Sequence, residues 1–311
     1  MQDNLQEAYT LFQQPWWLDT VAPGRWDVAT SIKGEEIRGR LPYLQTSKMG
    51  FTFSMLPPLT PRLGPWIQPS EGKYANRLSN EKRILDELIE GLPECDYFKQ
   101  SFDYHIENWL PFYWAGFSQT TRYTYVLDDI SDPEQVWEGI QGNIRREIKK
   151  ARKQVSVEET GDIEELWNLH KLTFERQNSE TNHSKEEVKR VADAATSRNS
   201  GKVFIARDNE EKPHAAIFVV WDQQSAFYLL GGADPELRNS GASSLLLWHA
   251  IQHVANKTQK FDFEGSMLKP IERFFRGFGA RQKRYFHITR MSKRMQLFKG
   301  SFDLFKSVFK G

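Results

Sequence analysis

Hydrophobic and polar positions change period in the same order twice along the chain. Residues 26–31, 37–44 and 50–56 alternate with period two, which predicts three strands separated by turns at 'IKGEE' and 'TSKMG'. The following 'LPPLTPRLGPWIQP' is a loop, because proline cannot donate to a β-ladder. A helical pattern over 'NEKRILDELIEGL' and a short strand at 'YFKQSF' complete the first pass. The second pass predicts strands at 202–207, 214–221 and 226–232, turns at 'DNEEKP' and 'DQQS', a helix at 243–257 and a short strand in 'KFDFEG'.

The repetition extends to residues. 'FKQSFDYHIENWLPFYWAGFSQTTRYTY' from Phe98 and 'FDFEGSMLKPIERFFRGFGARQKRYFHI' from Phe261 both run strand, polar turn, Ile-Glu, aromatic helix, Gly-Phe and a closing Arg-Tyr strand. A long-period repeat of this kind points to duplication. Between the halves, Val136, Ile140, Ile144 and Ile148 recur every fourth residue, which predicts one apolar helix face. Asp162 and Glu165 then form a candidate capping box before 'LWNLHKLTFERQ'.

Composition narrows the class. With 311 residues, 39% hydrophobic and 27% charged, the chain can build one large core or two ordinary ones. A net charge of +1 supplies no global field for nucleic acid or an anionic membrane, so such contacts need a local patch. Cys95 is the only cysteine, which excludes an intramolecular disulfide framework and a cysteine zinc site. The N-terminal 'MQDNLQEAYTLFQQPWW' does not read as a signal peptide, and no run is apolar for long enough to cross a bilayer. The expected location is the cytoplasm, including its membrane face.

Candidate chemistry gathers in 'GGADPELRNSGASSLLLWHAIQHV'. A helix start leaves backbone N–H groups unpaired and partly positive, and small residues let a diphosphate approach them. Arg238, Asn239, Ser240, Gly241, Ala242 and Ser243 therefore read as a phosphate cradle; the alternative is a helix capped by Ser240 or Ser243. The loop is neither a Walker loop nor a dinucleotide fingerprint. In 'FDFEG', alternation sets Phe261 and Phe263 against Asp262 and Glu264. The first half has Lys99 and Ser101 in place of the two carboxylates and no such loop, the pattern of a duplicated enzyme with one active half.

At these residues the chain resembles the GNAT acyltransferase superfamily, and more closely the tandem-GNAT Fem family of peptidoglycan bridge-forming aminoacyltransferases. 'NIRREIKKARK', 'GGADPELRNSGASSLLLWHAI', 'FDFEGS' and 'RFFRGFGARQKRY' carry the resemblance, within 16–291. It implies an α+β fold of two GNAT-like units, each a mostly antiparallel mixed sheet flanked by helices. The expected divisions are a degenerate acceptor-side unit at 1–127, a donor-binding catalytic unit at 128–290, and a basic amphipathic helix at 291–311. The acceptor is expected in the cleft between the units. The resemblance also implies coenzyme A pyrophosphate on Arg238, Gly241 and Ser243. One departure bears on the donor: the bridge-forming enzymes tend to carry Phe-Lys-x-x-Phe-Gly-Gly, whereas Phe275 stands here at the lysine position and Arg276 follows. This favours an acyl thioester such as acetyl-CoA over aminoacyl-tRNA.

For transfer to an amine, Glu264 or Asp262 is the candidate base, and backbone N–H groups of Leu230 to Gly232 face the oxyanion across a glycine-permitted bulge. Tyr228 or Tyr285 is the candidate acid, while Arg176, Phe274, Phe275 and Arg276 are candidate acceptor contacts. Structural readings stand beside these: a salt bridge for Asp262, packing for the tyrosines, an exposed helix arginine for Arg176. The acceptor expected is a small or lipid-linked amine of the cell envelope or a polysaccharide precursor, with a non-catalytic scaffold as the remaining alternative. His249 and His253 have metal-compatible spacing, but no third ligand is evident and no metal is expected. 'RREIKKARK' reads as a solvated basic face, with tRNA as its alternative partner. The stripe Met291, Met295, Phe298, Phe302, Phe305, Phe309 is expected either to dock on protein or to lie on a membrane surface.

Overall fold

A computed structural model describes residues 8–160, 162–176, 181, 183–265 and 267–298. They fall into two compact units, residues 1–122 with 284–311, and residues 123–283. Chain order in the first is α1 (Pro15–Val21), β1 (Trp26–Lys33), β2 (Glu36–Leu44), β3 (Thr46–Lys48), β4 (Phe51–Met55), β5 (Trp66–Ile67), α2 (Tyr74–Glu90), β6 (Tyr97–Ser101) and α3 (Leu110–Trp114). β7 (Ser118–Leu127) leads into the second unit, which continues with α4 (Pro133–Gly139), α5 (Gly142–Ala151), β8 (Ser156–Thr160), α6 (Glu164–Arg176), α7 (Lys185–Ser197), β9 (Gly201–Arg207), β10 (Pro213–Trp221) and β11 (Ser225–Ala233). α8 (Ala242–Val254), β12 (Lys260–Asp262) and α9 (Lys269–Arg276) follow, and β13 (Arg281–Met291) returns to the first unit.

In the first unit β1 pairs antiparallel with β2, and β4 pairs parallel with β6, which pairs antiparallel with β13. α2 buries Ile84, Leu85 and Leu88 on one stripe, against Leu41, Phe98 and Phe102. In the second unit β8, β9, β10 and β11 form an antiparallel run, and β11 then pairs parallel with β12. The core there is α8, buried along most of its length, over Phe204, Ile217 and Val219 of the sheet. The α+β class and the two-unit mixed-sheet arrangement expected from the repeat are what the chain adopts.

Three local expectations are corrected. The apolar face of Val136, Ile140, Ile144 and Ile148 is buried, but it spans two helices rather than one. Ile140 and Gln141 are extended, and the Gln141 amide donates to Gly277 instead of continuing the helix. The strand in 'KFDFEG' stops at Asp262, because Glu264 takes a left-handed φ of 54° that no strand permits. Asp162 caps α6 through the Glu164 amide, but the Glu165 carboxylate is taken by Arg207, so the expected reciprocal box is not the contact it makes. Residues 293–298 are helical; Phe298 packs on Phe51 at 5.0 Å and Ser292 bonds Asp96, so this turn docks on its own unit. Phe302, Phe305 and Phe309 lie outside the described residues.

Candidate active site

β11 and α8 set the geometry. The parallel pairing of β11 with β12 ends at Phe227 opposite Asp262, yet β11 runs on to Ala233. β12 ends at Asp262, so from Tyr228 onward β11 no longer pairs with it; α6 meets part of that edge, where the Gly231 carbonyl faces His170 and the Ala233 amide donates to Thr173. A bulge helps: Phe218 pairs with Leu230 and Val219 with Tyr228, so Leu229 is the extra residue, one position before the expected Leu230–Gly232 stretch. Gly232 is required by close approach, since a Cβ there would stand 2.3 Å from the His170 amide nitrogen of α6.

Beyond β11 the chain makes a 3-10 turn at Arg238–Ser240 and enters α8 through Gly241, at φ 81°. Gly241 is the N-cap and no side chain caps the helix, so neither Ser240 nor Ser243 fills the capping role. The Ser240 hydroxyl instead accepts from the Ala242 amide at 3.3 Å. Among the described residues the amides of Gly241, Ser243 and Ser244 have no hydrogen-bond partner. Three uncommitted N–H groups thus stand at the positive end of a 13-residue helix, the donors an anion would need. Arg238 and Asn239 are exposed, Ser243 is half-buried, and Ala242 is buried.

α5 covers one side of the loop. Lys150 donates to the Asn239 carbonyl, and a Cβ on Gly241 would lie 2.6 Å from the Glu147 carbonyl oxygen. The Glu147 carboxylate also stands beside the loop, a like charge that a bound phosphate must displace or outweigh.

The two carboxylates have separate fates. Asp262 is fully buried; its Oδ1 accepts from Thr124 at 2.5 Å and from the Glu264 amide at 2.9 Å. That arrangement locks the turn leaving β12 and holds Asp262 away from solvent, which corrects its candidacy as a freely reacting base. Glu264 is half-buried and left-handed, a conformation costing about 1–3 kcal/mol that tends to persist where a side chain must be aimed. Tyr228 packs against Phe275 at 6.0 Å, and burial pushes its hydroxyl up to about 12. Gly231 leaves room for that hydroxyl.

Other expected contacts disperse. Phe275 is buried, stacked on Phe263 at 5.3 Å, so it is core rather than substrate lining. The Arg276 guanidinium is engaged by Glu272 at 2.7 Å, and Phe274 is half-buried on Phe278. Arg176 is exposed at the end of α6. Tyr285 lies in the first unit beside buried Arg62. Sequence reasoning missed Thr124, which sits 138 residues from its partner Asp262. It also missed His170, whose Nδ1 meets the Gly231 carbonyl at 3.0 Å, and His183 stacked upon it. No spacing signal links residues brought together only by folding.

The first unit has a cavity of about 540 Å³, lined by Tyr74, Arg77, Glu81, His105, Glu107 and Arg284 among others. Behind it Asp103 is buried with Arg62 at 3.5 Å and accepts from the His105 ring.

Residues 140–276 match the family model described as an acetyltransferase (GNAT) domain. FemX shares the fold at TM-score 0.64 and 13% identity, covering 89% of this chain and 91% of that one. A Bacteroides thetaiotaomicron protein of unknown function does so at 0.54 and 13%, covering 89% and 90%. A tandem GNAT protein from the clavulanic acid biosynthesis pathway does so at 0.52 and 9%, covering 87% and 84%. No curated protein matches in sequence. Residues 140–276 thus match a GNAT acetyltransferase domain, and the chain shares the tandem fold of FemX, as the resemblance in its residues led one to expect.

Proposed function

We propose that the protein is an N-acyltransferase that moves an acyl group from an acyl-CoA thioester, such as acetyl-CoA, to an amino group of a small or lipid-linked cell-envelope or polysaccharide precursor. The observation that carries this reading is the trio of unpartnered amides at Gly241, Ser243 and Ser244, beyond a strand that outruns its pairing with β12. The diphosphate of the donor binds those amides, and Arg238 adds a fixed positive charge. The pantetheine arm then follows the part of β11 that β12 leaves unpaired toward Glu264, beside the Gly231 and Ala233 bonds to α6.

In the reaction the amine nitrogen forms a bond to the thioester carbonyl carbon, and its proton passes to Glu264 directly or through water. Backbone N–H groups after the Leu229 bulge stabilise the oxyanion. The carbon–sulfur bond breaks, and the thiolate takes a proton from Tyr228, whose hydroxyl stays protonated throughout the neutral range. The acceptor is assigned to the first unit, whose cavity carries Arg77 and Arg284 as well as Glu81 and Glu107 and so suits a ligand with both charge signs.

A second reading, aminoacyl-tRNA as donor, is favoured by α5, whose basic residues Arg145, Arg146, Lys149 and Lys150 belong to the helix that touches the donor loop. A thermal shift with coenzyme A, acetyl-CoA and tRNA separates the readings, because a ligand of the folded state raises Tm. Stabilisation by coenzyme A supports the first. Stabilisation by tRNA alone transfers the assignment to the second, and none by either leaves a non-catalytic scaffold.

A further inference from the structure

At the far end of α8 from the donor loop, three side chains with metal-binding atoms converge. His249 and His253 stand one turn apart on α8, and Glu159 comes from β8. The β8–β9 register sets Glu159 opposite Phe204, whose ring meets His249 at 5.2 Å and His253 at 5.1 Å, edge to face in both cases. Phe204 thus supports both imidazoles from one side, while Trp221 lies 5.8 Å from His253. One ligand atom from each of the three lies within 4.8 Å of the others, and His253 Nδ1 is 3.0 Å from Glu159 Oε1. Bonds of about 2.0–2.2 Å from a tetrahedral ion span such a set after small side-chain rotations.

We propose that Glu159, His249 and His253 form a binding site for a divalent transition-metal ion of the zinc class. Two imidazoles and one carboxylate favour Zn²⁺, Co²⁺ or Ni²⁺ over Mg²⁺ or Ca²⁺, which require oxygen ligands.

The same geometry names a competitor. Lys257 donates to His253 Nε2 at 2.7 Å, and Lys202 pairs with Glu159 at 3.4 Å. In the metal-free state the Nδ1 proton of His253 faces Glu159 and its Nε2 lone pair accepts from Lys257. Coordination at Nδ1 moves that proton to Nε2, where it opposes the ammonium of Lys257, donor against donor. Lys257 must then swing aside, so it holds the ion's affinity down. An ion bound here ties β8, the last strand of its sheet, to α8, and its effect falls on the stability of the second unit rather than on acyl transfer.

The experiment uses the full chain freed of metal by chelation, titrated with Co²⁺ while visible absorbance is followed, and with Zn²⁺ by calorimetry and thermal shift. One equivalent bound, a tetrahedral Co²⁺ spectrum and a Tm that rises with Zn²⁺ are expected. His249→Ala and His253→Ala each lower affinity by at least about 10-fold, Glu159→Gln lowers it less, and Lys257→Met raises it. Circular dichroism confirms that each variant is folded. An equivalent still bound by the folded His249→Ala/His253→Ala double variant, or weaker binding in Lys257→Met, overturns the proposal.

Discussion

The two units contain the same local device and finish it differently. In each, a strand pairs parallel with the short strand that follows the next helix: β4 with β6 through Met55 opposite Lys99, β11 with β12 through Phe227 opposite Asp262. β4 ends at that last pair, and Pro57 and Pro58 follow one residue later. β11 continues to Ala233, bulged and no longer paired with β12, with Gly231 and Ala233 bonded to His170 and Thr173 of α6. The helix starts differ in conformation: α2 is entered through Lys73 in extended conformation and α8 through a left-handed glycine, and neither has a side-chain cap. Among the described residues, a strand that overruns its parallel partner and leads to a helix entered through glycine occurs in the second unit, where the donor groove is proposed.

The most direct way to break this contrast is at Ser243. It is the second residue of α8, half-buried at the amides, and a carboxylate there agrees with the helix dipole. Ser243→Glu should keep or slightly raise Tm while weakening coenzyme A by about 100-fold, the loss of one or two charge-assisted hydrogen bonds at about 1.5–3 kcal/mol each. Ala75→Glu makes the same change at the matching position of α2 and should leave donor binding untouched. Isothermal calorimetry decides, and equal losses in both variants would erase the distinction between the units.

Chemistry should separate from binding at Glu264. Glu264→Gln is expected to lower kcat by about 10²–10⁴-fold with donor Kd unchanged, the cost of losing a general base. A wild-type rate in this variant would move the base elsewhere, since Asp262 is fully buried.

Stability sharpens the contrast in the other direction. Asp262→Asn should cost about 1–3 kcal/mol, because its bonds to Thr124 and the Glu264 amide weaken. Asp103→Asn should cost more, about 3–5 kcal/mol, since it removes the negative charge facing the buried Arg62 guanidinium in the first unit. Burial opposes ionisation of Asp103, yet His105 and Arg62 hold its pKa below the usual carboxylate range. Its contribution is therefore present above the unfolded carboxylate pKa, is lost as pH falls through the folded one, and should vanish from the acid limb of the denaturation curve in the variant.

How much of this was legible in the residues depends on range. Strand positions at 26–31, 202–207 and 214–221 followed from period-two alternation, a local signal, and matched within a residue or two at each end. The turn that enters α8 through Gly241 was legible because small residues and a glycine occupy consecutive positions. The break at Ile140 was not, because a packing partner 136 residues away, the Gly277 carbonyl that takes the Gln141 amide, ends the helix. The different surroundings of Asp262 and Glu264 were equally hidden: alternation gave them one face, but Thr124 bonds the first and a left-handed turn redirects the second. Glu159 escaped notice for the same reason, since His249 and His253 meet it only once β8 lies along β9.

The smallest predicted effect tests whether the units respond alike to acid. Each has one histidine whose pKa falls to about 4: His183 in the second unit, by burial and then by the neighbouring His170, and His287 in the first, by burial and then by Arg122 and Lys99. Both are neutral when folded and protonate more readily when unfolded, so the unfolded chain binds more protons between about pH 6.5 and 4. Stability from each is complete above the unfolded value and declines as pH falls toward the folded one. The His183 ring is part exposed, which shrinks its effect. Replacing His183 by Gln should flatten the Tm–pH profile of the second unit alone over that window, and His287→Gln, which keeps a partner for Ser101, that of the first. Hydrogen exchange on α8 and on α2 reports each unit separately; a change that appears in both from either variant would mean that the two unfold as one cooperative body.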